Sequence, residues 1–439
     1  VAKSLPPGCA LVEFVRCQIR DFKALAVQGQ PRWQPARYLA FVLLAGAAHQ
    51  VRLLDLGDAA RIDRLIAGFR TWVTVPPHAR ARADADADAG PALRAAVFDP
   101  LLSALEGRTQ LFLALDGDLN RLPFEVLRTA AGRFLIDDYQ IGYLSVGRDV
   151  LRFGAATSCQ SDAPLVAASP DFDLCSPPEK SPAVGAAPAA RVLQALERGR
   201  LHFEPLPGTR LEGQCVADLL GVKPWLDGAV LEGRLKACHS PKIMHLATHG
   251  FFLPKLAVSN WEPGRVSNAD VQVLAPTTFG RLAVAENPLL RSGLALSGAN
   301  TWTRGGPLPP EAEDGLLTAE DVTGMDLLAT DLVVLSACET GLGDVLRGEG
   351  VFGLRRAFLL AGAKTVVMSL WQVPDEETRI LMEHFYRRLT AGAPAPLSRA
   401  DALRAAQRTL RSDPATADPY FWGAFICEGC PGLPAPVQH

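Results

Sequence analysis

No run of about 18 apolar residues occurs in this sequence, which removes a membrane-spanning helix from consideration. The opening residues, Val1 to Gly8 (VAKSLPPG), lack the charged start, apolar stretch and small-residue cleavage site of a secretory leader. Basic residues are not in excess either. Forty-four Lys and Arg stand against 47 Asp and Glu, a formal net charge of −3, so there is no electrostatic footprint for direct nucleic-acid binding. A dense cysteine framework is also missing. Nine cysteines are scattered through the chain, an odd number that argues for free thiols in a reducing compartment and for a cytoplasmic location. Cys427 and Cys430 have CxxC spacing, but no second pair stands nearby to complete a zinc site, and they read as two ordinary cysteines. The alternating Asp and Ala of residues 81–90 lack EF-hand spacing and read as a solvated loop. These residues therefore call for no cofactor and no metal. The chain starts on Val1 rather than Met, which leaves it open to being a fragment of something longer.

What is present points to a large α/β protein. Hydrophobic residues make up 48% of 439, enough for a sizeable core and for two to three domains. Strand-like and helix-like segments alternate in two blocks. In the first, Arg37–Leu44, Gln50–Leu56 and Leu111–Gly117 read as strands, and Ala59–Thr71 has helical spacing of Ile62, Leu65, Ile66 and Phe69. An Ala/Ser/Pro-rich stretch over 155–190 contains one strand, Leu165–Pro170, and marks a boundary, with halves at 1–155 and 156–439. In the second block, helix Leu211–Leu220 precedes strand Ile243–Phe252. Strands Asp331–Cys338 and Thr365–Val373 follow, with helices Gly350–Ala361, Glu376–Leu389 and Ser398–Leu410. Nearly all-apolar strands joined by helices predict a mostly parallel sheet covered on both faces.

In such folds function sits beyond the carboxyl ends of the strands. His249 lies near the end of one predicted strand and Cys338 ends another, 89 positions later (338 − 249). A cysteine attacks a carbonyl as the thiolate and needs a base to form it; histidine supplies that base and later protonates the leaving amine. Gly250 would let a substrate carbonyl approach a bare backbone N–H, an oxyanion donor. Bland readings stand beside these. A cysteine after an apolar strand is commonly a small buried hydrophobe. His245 and His249 have HxxxH spacing, yet HLATH lacks the Glu of HExxH, and His245 reads as a core histidine.

At these residues the sequence resembles the CHAT domain family, caspase-like cysteine peptidases related to separase and found mainly in bacteria, often behind tetratricopeptide repeats. The resemblance rests on IMHLATHGFF, on the long segment from DLVVLSACETG to LWQVPDEET, and on DPYFWGAFICEG. It extends to LPGTRLEG, LLRSGLALSGAN, DGLLTAEDV and, upstream, DGDLNRLPFEVL. It implies a caspase-like sheet in which His249 and Cys338 form the dyad, and Gly250 with the Cys338 backbone N–H forms the oxyanion site. It also implies an N-terminal non-catalytic caspase-like half that serves as scaffold and partner surface. Ser336 stands where caspases have Gln and metacaspases have Asp. Asp375 is the candidate for contacting a basic P1 side chain, or else an N-cap for the following helix. Trp371 walls the substrate groove or packs in the core. Self-cleavage near Arg347 stands against a plain glycine-rich loop. The expected activity is regulated cleavage of a specific protein partner, in bacterial defence or programmed cell death. A regulatory sensor or tetratricopeptide-repeat segment would hold it in check. The alternatives are a catalytically silent scaffold that binds protein partners, and another thiol enzyme, an acyltransferase or amidase, using the same dyad.

Overall fold

The structure, a computed structural model, describes residues 1–23, 32–47, 49–80, 89–154, 159–175, 202–252, 287–336, 349–391 and 397–432. It packs as two compact units, Val1–Ala156 with Ala391–His439, and Thr157–Thr390.

The first unit is built on six strands in the spatial order Arg52–Asp58, Arg37–Leu44, Cys9–Cys17, Gln110–Ala114, Gln140–Leu144 and Phe425–Gly429. The first two pairings are antiparallel and the other three parallel. Helix Ala59–Val73 begins where the Asp58 side chain accepts from the Arg61 N–H, and buries Ile62, Ile66, Phe69 and Val73 along one face. Two assignments differ from the sequence reading. Cys9–Cys17, not among the strands expected above, is an inner strand: its CALVEFVRC pattern is buried over Cys9–Val12, which suits a position between two neighbours. Helix Arg399–Ser412 and strand Phe425–Gly429, which chain order places in the second half, pack with the first. Gln407 donates from Nε2 to the carbonyls of Trp422 (3.0 Å) and Phe425 (2.9 Å), and Arg404 donates from Nε to that of Ile136 (2.9 Å). Inside this unit Glu125 is buried, accepting from the Tyr143 hydroxyl at 2.5 Å, and burial raises its pKa to about 7.

The second unit holds an all-parallel sheet in the order Thr365–Ser369, Leu332–Leu335, Ile243–Ala247, Leu165–Pro170 and Trp225–Asp227. The three inner strands are almost wholly buried, as expected when helices cover a parallel sheet. Helix Pro207–Leu220 starts with Pro at its first turn and stops at Gly221, whose left-handed backbone (φ 68°) caps it. It lies close on strand Leu165–Pro170 because Gly213 has no Cβ, which would stand 2.4 Å from the Ala168 Cβ. Helix Asp375–Thr390 carries Asp375, Glu376 and Glu377 in its first turn and Arg387 and Arg388 in its last, matching the helix dipole at both ends. A separate antiparallel sheet joins Gly250–Phe252, Ser292–Ala295 and Leu316–Thr318. The strand expected over Ile243–Phe252 is thus two: it leaves the parallel sheet after Ala247 and re-enters pairing at Gly250. No helix among the described residues is long and apolar enough to cross a membrane.

Candidate active site

His249 occupies the corner where the chain passes from one sheet to the other. Ala295 secures the corner from both sides: the Thr248 hydroxyl donates to its carbonyl (2.5 Å), and its N–H donates to the His249 carbonyl (2.9 Å). The corner stands at the carboxyl edge of the parallel sheet, three residues beyond Leu246. Leu246 is level with Leu335 of the adjacent strand, and the Ser336 N–H donates to the Leu246 carbonyl at 2.9 Å.

The His249 imidazole is 7% exposed and lies between Phe172 and Phe203, with ring centroids 5.4 and 5.8 Å away. Its Nε2 is 2.7 Å from the backbone carbonyl of Glu204. A carbonyl only accepts, so Nε2 carries the hydrogen, and in the neutral ring the lone pair resides on Nδ1. Nδ1 is buried and has no hydrogen-bond partner among the described residues. Burial lowers the pKa, opposed by the Glu204 carbonyl and by the charges of Asp375 and Glu204. The net shift is downward, so at neutral pH the ring is held as a base.

Asp375 is the first residue of its helix rather than the residue capping it. The helix start is drawn against Gly208: a Cβ on Gly208 would stand 2.3 Å from the Cβ of Asp375. Gly250 opens the strand opposite Leu294. Ser336 is buried at the end of its strand. Trp371, 3% exposed, packs in the interior, which favours the core role over a groove wall. The sheet edge therefore brings together His249, Gly250 and Ser336, and places Asp375 within electrostatic reach of His249. Cys338 and Arg347 lie outside the described residues.

His245 is fully buried, as a core histidine. Its Nδ1 is 3.1 Å from the Tyr386 hydroxyl, and its Nε2 is 3.3 Å from Glu212 Oε1. The second contact is an ion-pair distance without hydrogen-bond alignment. Both helices that pack on this face, Pro207–Leu220 and Asp375–Thr390, are tied to the sheet through His245. Burial, then the charge of Glu212, pushes the Tyr386 pKa well upward, so its hydroxyl remains a donor. The sequence reading missed Glu204 because a backbone carbonyl leaves no mark on residue type. Among the described residues no cluster of His, Cys, Asp and Glu has metal-binding geometry, and none of the described cysteines forms a disulfide.

The fold and site define a mixed α/β protein with a large mostly parallel sheet flanked by helices and a buried histidine at its carboxyl edge. A family model for the CHAT domain matches residues 87–430, and the chain belongs to the CHAT domain family. Tetratricopeptide repeat protein 28 of Homo sapiens is 28% identical over 354 residues, and its Mus musculus counterpart is 26% identical over 360. Each match covers 78% of this chain, which spans 13% of the length of these curated relatives. Solved structures with similarity include the separase–securin complex of Saccharomyces cerevisiae and the Arg-specific cysteine proteinase gingipain R. The first has a TM-score of 0.46 at 9% identity, covering 97% of this chain and 30% of that one. The second has a TM-score of 0.41 at 9% identity, covering 86% and 68%.

Proposed function

We propose that this chain is a cysteine endopeptidase in which Cys338 is the nucleophile and His249 the general base and acid. The observation that carries the reading is the state of His249: buried, bonded through Nε2 to the Glu204 carbonyl, with Nδ1 left as the basic nitrogen. Covalent continuity supports the partner. Cys338 follows Ser336 by two residues, a reach of about 7 Å. His249 and Cys338 are each three positions beyond the level pair Leu246 and Leu335 (249 − 246; 338 − 335).

In this reading Nδ1 takes the Cys338 proton and the thiolate attacks the scissile carbonyl. The oxyanion is met by the backbone N–H groups of Gly250 and Cys338. The imidazolium returns its proton to the leaving amine, and water, deprotonated by the same nitrogen, releases the acyl-enzyme as a carboxylic acid and restores the thiol. Asp375 is the candidate selector for a basic P1 side chain, and Ser336 adds no charge beside the nucleophile. Trp371, being buried, would shape the cleft from behind. The substrate is a protein partner met in the cytoplasm, and residues 1–155 serve as a non-catalytic half. The family resemblance suggests a bacterial defence or programmed-death setting, to which the mammalian relatives lend no support.

The test is digestion of a peptide library by wild type and Cys338→Ala, read by mass spectrometry. Cleavage present in wild type and absent in Cys338→Ala and His249→Ala is expected. No Cys338-dependent cleavage, even with the natural partner present, would sink the reading. Partner binding retained in all three proteins without turnover would favour the scaffold.

A further inference from the structure

Asn300, 1% exposed, lies in the first turn of the short helix Ala299–Thr303 and reaches both aromatic residues that enclose His249. Its carboxamide acts as a one-residue strand toward Phe203: Oδ1 accepts from the Phe203 N–H at 2.8 Å, and Nδ2 donates to the Phe203 carbonyl at 2.9 Å. Its backbone N–H donates to the Phe172 carbonyl at 2.9 Å. Nδ2 also lies 3.3 Å from Asp173 Oδ2. Phe203 is followed directly by Glu204, whose carbonyl takes the Nε2 hydrogen of His249. Residues 202–206 belong to no helix or strand. Without a regular ladder, their backbone is placed by side-chain partners, and a buried peptide group bonded on both sides is strongly placed.

We propose that Asn300 is a positioning residue for His249, holding the Phe203–Glu204 backbone so that the Glu204 carbonyl fixes the imidazole as the Nε2–H tautomer. The inference rests on the reading of His249 as the general base, because it says what keeps the lone pair on Nδ1. Asparagine suits the position because one planar group supplies both the donor and the acceptor that a peptide bond needs. Leucine has similar volume and supplies neither. Aspartate keeps the acceptor but turns an oxygen toward the Phe203 carbonyl and toward Asp173, which repel it.

The experiment is NMR of the full chain labelled with ¹⁵N in histidine and phenylalanine, comparing wild type, Asn300→Leu and Asn300→Asp, with His249→Gln and Phe203→Leu to assign the two signals. In wild type the His249 ring should show one tautomer, protonated at Nε2, and the Phe203 amide should be protected from exchange. In Asn300→Leu the ring nitrogens should move toward tautomer averaging, and the Nε2 hydrogen should exchange roughly two- to tenfold faster, the factor set by one ordinary hydrogen bond. Asn300→Asp should move both signals in the same direction and decides the matter if the leucine variant does not fold. A pure Nε2–H tautomer with unchanged exchange in a folded variant overturns the proposal, as does an unprotected Phe203 amide in wild type. These signals are independent of turnover. A chain that cleaves nothing but shows the expected tautomer shift loses the peptidase reading and keeps this one.

Discussion

Replacing Gly208 by Ala tests the helix contact beside the site most directly. An alanine Cβ at this position would stand 2.3 Å from the Cβ of Asp375 and 2.8 Å from its Cγ and Oδ2. Carbon atoms in contact sit about 3.5–4.0 Å apart, so the two helix starts must separate by roughly 1.2–1.7 Å. The Asp375 carboxylate can rotate away, but its Cβ moves only with the backbone. Overpacking of this kind costs about 1–3 kcal/mol, against which alanine in place of glycine in a helix returns up to about 1 kcal/mol. A backbone-fixed contact as short as this takes the upper part of that range, about 2–3 kcal/mol, so with about 1 kcal/mol returned the expected net loss is about 1–2 kcal/mol, or a fall in melting temperature of roughly 2–8 °C. Asp375 raises the pKa of His249, so moving it away should also carry the His249 titration to lower pH. Thermal unfolding and NMR titration of His249 measure the two effects. Adding Asp375→Gly removes the struck Cβ and should recover part of the stability without restoring the titration. A Gly208→Ala protein as stable as wild type, with His249 titrating unchanged, would refute the close approach and its electrostatic consequence together.

Three further outcomes concern ionisable side chains. Glu125 keeps its proton in the folded state up to about pH 7, against 4.5 for a free glutamate, so its contribution to stability is lost as pH rises between those values. Glu125→Gln should therefore stabilise the protein at pH 8 by up to about 3 kcal/mol and change little at pH 4; urea midpoints at both pH values decide it. Leucine at Glu212 or His245 alone should cost about 3–5 kcal/mol by stranding a buried partner, whereas leucine at both should recover much of that. Additive losses in denaturation would show that the two are uncoupled. Asp375→Asn should move His249 to lower pH and reduce cleavage after Lys or Arg relative to other residues. A basic preference that survives this change, or wild-type cuts after Leu or Met, counts against Asp375 as selector.

Much of the second unit was legible because its strands are short apolar runs that only a doubly covered parallel sheet can bury. Leu165–Pro170 falls where the run predicts it, and Thr365–Ser369 lies within its predicted run. The run Ile243–Phe252 misled because periodicity carries no sign of a change of sheet; the break at Thr248–His249 is imposed by Ala295, 46 residues further along from His249 (295 − 249). Cys9–Cys17 and Phe425–Gly429 escaped notice for a related reason. Strand membership depends on partners supplied by distant segments more than on local propensity.

Residue type and spacing, by themselves, determined the α/β class and membership of the CHAT domain family. They also singled out His249 and Cys338 as candidates, since few side-chain types can serve as a nucleophile and its base and these two follow apolar runs. Tertiary structure decided the state of His249. Its tautomer is set by a backbone carbonyl, its lowered pKa by two phenylalanines and burial, and its charge neighbour by a helix start drawn in against a glycine. These are properties of distance and dielectric, and a linear order of residues contains neither.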